Sequence, residues 1–144
     1  MKENMNIKGK LTIQLVRDGK VIEEQKVNNV ITTSGKYLIC QLVTGASSDV
    51  FTHMEIGEND TAEDETDLAL GDPTGRVVLT SKGISNNVIT FIGDFPAGTG
   101  TGTIAEAGIF NSDTTGTMLN RAVFSPISKT AADALKISWE VTFG

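Results

Sequence analysis

The chain has one cysteine, Cys40, so it can form no intramolecular disulfide and no cysteine-based zinc site. It has one Trp and one Tyr, too few aromatic side chains to mark a sugar-binding platform beside a carboxylate pair. It has one histidine, His53, which leaves little acid-base chemistry at neutral pH. Apolar runs are short: none approaches the roughly 18 residues of a membrane span. The start, Met1-Lys2-Glu3-Asn4-Met5-Asn6, has no apolar stretch of the signal-peptide kind, so synthesis in a cytoplasm is expected. Basic residues are in deficit. With 12 Lys and Arg against 18 Asp and Glu, the net charge of -6 opposes attraction to phosphate backbones and anionic lipid. Nucleic acid and membrane are therefore not expected partners.

What is present suffices for one folded domain. At 144 residues the chain fits a single unit, and 39% hydrophobic against 21% charged residues is enough to close a core. In Lys10–Arg17, Leu11, Ile13 and Leu15 alternate with polar or outward positions, and Asp18-Gly19 is hairpin-turn chemistry leading to a return strand from Lys20 to about Val27. Tyr37, Leu38, Ile39, Leu42 and Val43 fit one face of a short helix, with Thr33 or Ser34 as its cap and Gly45 as its end. Cys40, on that helix, reads as a small buried hydrophobe.

Beyond Gly45 the sequence reads as strands divided by turns: Phe51–Gly57, Arg76–Lys82, Val88–Phe95, Thr103–Phe110, Met118–Phe124 and Ala134–Phe143. The last alternates most clearly, with Leu135, Ile137, Trp139, Val141 and Phe143 on one face. These residues, with Leu11, Ile13, Leu15, Phe91 and Phe110, are the expected core. About eight strands and one helix predict a mainly β fold, an antiparallel β-sandwich or jelly-roll-like barrel with one short helix. Residues 1–8 read as a polar amino-terminal arm and 9–144 as a single β-domain.

Four features invite a chemical reading. Glu55, Glu58, Asp60, Glu63, Asp64, Glu65, Asp67 and Asp72 put eight acids in eighteen residues with no Lys or Arg among them. Such oxygen density suits calcium, but the Asp-x-Asp-x-Asp-Gly spacing is missing and a solvated acidic loop needs no metal. Gly98-Thr99-Gly100-Thr101-Gly102 precedes a β-branched run, Thr103-Ile104, where a phosphate loop would need a helix, so it reads as a hairpin or crossover loop. His53 with Ser47 or Ser48 and Asp49 has the residue types of a triad without a nucleophile elbow. Asn59-Asp60-Thr61 matches a glycosylation sequon that only a secreted chain would use. No catalytic, cofactor or metal residue is assigned, and the profile is that of a binding or structural module rather than an enzyme.

Six segments together carry a resemblance: Val27–Lys36, His53–Ala62, Thr66–Leu70, Phe95–Asn111, Gly116–Phe124 and Leu135–Thr142. The longest includes Thr103-Ile104-Ala105-Glu106-Ala107-Gly108-Ile109-Phe110-Asn111. In order and spacing they resemble a family of small virion structural proteins of tailed bacteriophages, whose members are capsid decoration (cement) proteins or tail-associated proteins. One departure is Gly57-Glu58-Asn59, where the family usually has Gly-x-Gly. The resemblance implies a virion component made in a host bacterium. Its leading form is a decoration protein that binds and stabilises the assembled head; the alternative is a tail or tail-fibre accessory domain with an adaptor or weak glycan-binding role. It implies the major capsid protein or another virion protein as partner, and a homo-oligomer, with a trimer favoured. The arm residues Lys2, Glu3, Asn4, Met5 and Asn6 and the loop residues Glu58, Asp60, Glu63, Asp64, Glu65 and Asp67 are the expected contact segments.

Overall fold

Ile7–Arg17 (β1) and Lys20–Asn28 (β2) form the hairpin that the alternation predicts, and Asp18 and Gly19 between them take φ of 53° and 75°. Positive φ at both central positions matches the turn to the twist of its strands, and an Asp-Gly pair tolerates it. The computed structural model describes residues 6–144. Ile7 and Lys8, which the sequence placed in the arm, pair with Phe143 and Thr142 and belong to β1.

Val30–Ile31 (β3) leads into a helix over Thr33–Thr44 (α1). Its cap is Thr32, one residue earlier than expected: Thr32 is extended at φ -76° and ψ 154°, and its hydroxyl accepts from Gly35 N at 2.9 Å while donating to Met118 O at 2.6 Å. Gly45 ends the helix in the left-handed region at φ 77°, as its sequence position predicts. The remaining strands are His53–Gly57 (β4), Pro73–Val78 (β5), Ser81–Ser85 (β6), Val88–Phe95 (β7), Gly102–Phe110 (β8), Met118–Lys129 (β9) and Ala134–Phe143 (β10).

Among the described residues ten strands, two more than the sequence reading, form two antiparallel sheets in the orders β2-β1-β10-β7-β6 and β3-β9-β8-β4-β5. The fold is an antiparallel β-sandwich with one short helix. The run 76–82, read as one strand, is split between the sheets. Val77 pairs with Met54 in one sheet and Ser81 with Ile92 in the other, and Leu79 and Thr80 carry the chain across by donating to Thr52 O and Ile92 O. The glycine-rich segment makes another crossing, from β7 to β8, and the chain also changes sheets between β2 and β3 and between β9 and β10.

The main core lies between the sheets. Leu11, Ile13, Leu135, Ile137, Trp139 and Phe91 meet Met54, Ile56, Ile104, Ile109 and Phe124 there. Trp139 is fully buried, with its indole N–H donated to Asn29 Oδ1. Phe143 is only partly buried at the rim, and Phe110, although buried, belongs with Leu70 and Met118 to a separate small cluster. In β8 the register shifts twice, before Glu106 and again between Ile109 and Phe110. Ile104 pairs with Ile127 but Glu106 with Val123, so β9 carries extra residues opposite Ala105. Pro126 sits in that irregular stretch, where a missing backbone N–H does no harm. Gln25 of β2 bonds both the amide and the carbonyl of Ser125 beside it.

Candidate interaction surfaces

The acidic loop between β4 and β5 is built on one carboxylate that the sequence reading did not single out. Ala107 and Ile109 face the core or are buried within the sheet, so the alternate residue Glu106 turns to the opposite face of β8. Its side chain is completely buried and accepts from Asn59 N (3.0 Å), Gly71 N (2.9 Å), Asp72 N (2.8 Å) and Arg121 Nε (3.1 Å). Arg121, also buried, reaches Thr61 O at 3.0 Å and Asp67 Oδ2 at 3.1 Å. The two ends of the loop are thereby tied to the sheet through charge-assisted hydrogen bonds, stronger than neutral ones. Gly57 is required in the strand below: a Cβ there would stand 2.5 Å from both Asp72 O and Glu106 Oε2.

The loop acids expected at a contact surface divide into two groups. Glu58 accepts from Thr103 N at 3.1 Å, Glu63 from Val123 N at 3.0 Å, and Asp67 from Asp64 N at 2.9 Å. Asp64 accepts from the Thr66 hydroxyl at 2.6 Å and amide at 2.8 Å, and those bonds, the hydroxyl's first, hold its carboxyl below the usual range. Asp60 and Glu65 are exposed and their side chains make no hydrogen bond among the described residues. Glu55, counted with the loop in the sequence, lies in β4 and pairs with Arg76 at 2.9 Å, whose guanidinium stacks 3.9 Å from the Phe110 ring centre. The loop is thus stitched to its own sheet, with the one arginine that reaches it among the described residues, Arg121, supplied by β9. It still presents one large apolar side chain to water, Leu68, which is 70% exposed. No group of three or more His, Cys, Asp or Glu placed to hold a metal occurs among the described residues.

The second surface surrounds α1. The helix seats on β9 through Gly35, where a Cβ would stand 2.6 Å from Leu119 O, and through buried Leu38. That seating turns Tyr37 and Val43 outward, contrary to the expected apolar face, and leaves them 66% and 82% exposed. Cys40 is exposed too, rather than buried. Where α1 meets the ends of β6, β7 and β10, clefts of about 260 and 310 Å³ lined by Leu42, Phe51, Ile89 and Phe91 form a nearly continuous apolar groove. Val43, Val50 and Ile84 stand exposed at its edge. Apolar side chains are thus gathered on one face beside α1.

Of the expected contact arm, Lys2, Glu3, Asn4 and Met5 lie outside the described residues; Asn6 accepts from Gly144 N at 2.8 Å through its carbonyl. Ile7, the next residue, lines the same apolar region as Ile39, Val43 and Phe143. The triad residue types do not assemble. His53 Nδ1 is bonded to Thr52 Oγ1 at 2.8 Å, Ser47 Oγ accepts from Asp49 N at 3.1 Å, and no hydrogen bond joins the two groups among the described residues.

No protein-family model matches the chain, and neither a curated protein nor a solved structure matches it.

Proposed function

We propose that the chain is a structural component of a tailed-bacteriophage virion, a capsid decoration protein that binds and stabilises the assembled head. The resemblance of the six segments supplies the biological class. The observation that carries the reading on the physical side is the apolar groove around α1, with Val43 and Ile84 more than four-fifths exposed at its edge. A subunit that stays soluble until assembly and then packs against neighbours needs a surface of this kind. The partner would be the major capsid protein or another virion protein. The stitched loop is a second, acidic contact face held in a fixed shape before any partner arrives, which lowers the ordering cost of binding.

Copy number tests this reading. Densitometry against the major capsid protein should give on the order of hundreds of copies per particle, as repeated symmetric placement on a head requires. A count of about a dozen or fewer, the number a tail or fibre position offers, would replace decoration with the tail-accessory role.

A further inference from the structure

β9 has a long side that no strand covers. It spans Met118–Lys129, yet β3 pairs with it only at Asn120 and Arg121, and among the described residues no strand is paired with the rest of that side. An uncovered edge offers its backbone N–H and C=O groups to any extended chain that meets it. Here three of those groups are already engaged, by side chains. Glu63 Oε2 accepts from Val123 N at 3.0 Å, Gln25 Oε1 accepts from Ser125 N at 3.2 Å, and Gln25 Nε2 donates to Ser125 O at 2.8 Å. A primary amide carries both a carbonyl acceptor and N–H donors, so Gln25 meets Ser125 with the same pair of groups that a residue of an adjacent strand would present.

The two side chains come from different parts of the fold. Gln25 belongs to the other sheet, where it pairs with the fully buried Ile13; its side chain therefore leaves β2 on the inner face, the face on which Val27 packs against the core. From there it reaches the edge of β9. Glu63 belongs to the loop that Glu106 holds in place. Pro126, next to Ser125, has no backbone N–H, and the register of β9 against β8 is irregular at this stretch, two further features that spoil an edge for pairing. The neighbouring edge, β2, exposes Lys20, Glu23, Glu24 and Lys26, charges that oppose pairing there as well.

We propose that Gln25 and Glu63 close the β9 edge against strand addition by another chain, filling the hydrogen-bond positions that a neighbouring strand would take. Without them Val123 N and both backbone groups of Ser125 are open to an extended segment, including one from a second copy. This closure does not depend on the virion reading.

The test combines Gln25→Ala with Glu63→Ala in one chain, which frees all three groups. Samples are incubated at high concentration and neutral pH and followed by thioflavin T fluorescence and by the infrared band of strands paired between molecules. The double variant should form strand-paired assemblies about tenfold faster than the wild type or more, because each added strand gains hydrogen bonds that the wild type denies it. Adding Ser125→Lys at this exposed position puts a charge on the edge and should return the rate to the wild-type level without restoring either side-chain bond. Assembly caused by mere loss of stability would not be reversed in that way, and urea midpoints of all the chains identify such a loss. If the double variant does not fold, Gln25→Ala alone serves, since it frees both groups of Ser125. Folded variants that assemble no faster than the wild type, or a Ser125→Lys chain that assembles as fast as its parent, would overturn the closure.

Discussion

Removing the Glu106 carboxylate should loosen the acidic loop and destabilise the whole domain. In Glu106→Ala three backbone amides, those of Asn59, Gly71 and Asp72, lose their acceptor, and Arg121 loses its buried partner. A buried donor left unsatisfied costs about 1–3 kcal/mol, and breaking a buried ion pair from one side about 3–5 kcal/mol. Water entering beneath the loop recovers part of that sum, so a net loss of about 4 kcal/mol is expected, large against the roughly 5–15 kcal/mol of a typical domain. Urea unfolding followed by the fluorescence of the single Trp139 reads it, with a fall in Tm on the order of 10 °C. Hydrogen exchange should accelerate at the same three amides. A second variant separates the two roles of the carboxylate. If Glu106 served only to neutralise Arg121, Glu106→Ala with Arg121→Met would return to near wild-type stability, since apolar replacement of a buried pair is often neutral. The amides remain orphaned in that double variant, so about half or more of the loss should persist. Full recovery, or a single-variant loss below about 1 kcal/mol, would refute the cradle.

Three further outcomes are expected. Trp139→Ala leaves a cavity between the sheets and removes the donor to Asn29, costing about 3–5 kcal/mol; an unchanged urea midpoint would show that β10 does not face the core. Asp133 is bonded by Arg17 at 2.7 and 2.9 Å and by Thr130 N at 3.0 Å, and the Arg17 hydrogen bonds first hold its carboxyl well below the ordinary value of 3.8. A folded-state value below the unfolded one stabilises the fold above the ordinary value and loses that contribution as pH falls toward the folded value. Stability should therefore drop from about pH 4 to pH 2, and Asp133→Asn should shrink that drop, whereas an identical acid limb in the variant would assign it to other groups. Calcium titration should leave Tm unchanged, since the loop carboxylates Glu58, Glu63, Asp64 and Asp67 are already engaged by backbone amides; a rise with calcium would show a native-state site.

The sequence made the local elements readable and left the tertiary ones hidden. Asp18-Gly19 specified the first hairpin, Gly45 the end of α1, and the alternation from Leu135 to Phe143 the strand β10, because turn chemistry and period-2 burial are properties of neighbouring residues. The crossing at Leu79-Thr80 was invisible, since no glycine or proline marks it and only pairing with Thr52 and Ile92 divides the run. The sequence reading ends this strand at Phe124, whereas β9 runs on to Lys129 through Pro126, which the irregular register opposite Ala105 accommodates. The acidic loop was visible as composition, but its floor was not. Glu106 between Ala105 and Ala107 was a charge inside an otherwise apolar strand, a signal that could have raised the question of a buried partner. Its partner Arg121 lies fifteen residues away on the adjacent strand, a distance only the sheet register closes. The groove was missed for a similar reason: helical periodicity put Tyr37 and Val43 with the core, while the close seating of Gly35 on Leu119 rotates them out.

If the sandwich decorates phage heads as proposed, the direct measurement is add-back of purified protein to separated heads and tails of a phage whose genome carries its gene. Particles lacking the chain would be incubated with it and resolved on a density gradient, and bound protein quantified in each fraction. Saturable binding to heads, with none on tails and with increased resistance of the heads to heat, is the predicted result. Binding confined to tails, or to neither, would contradict the account.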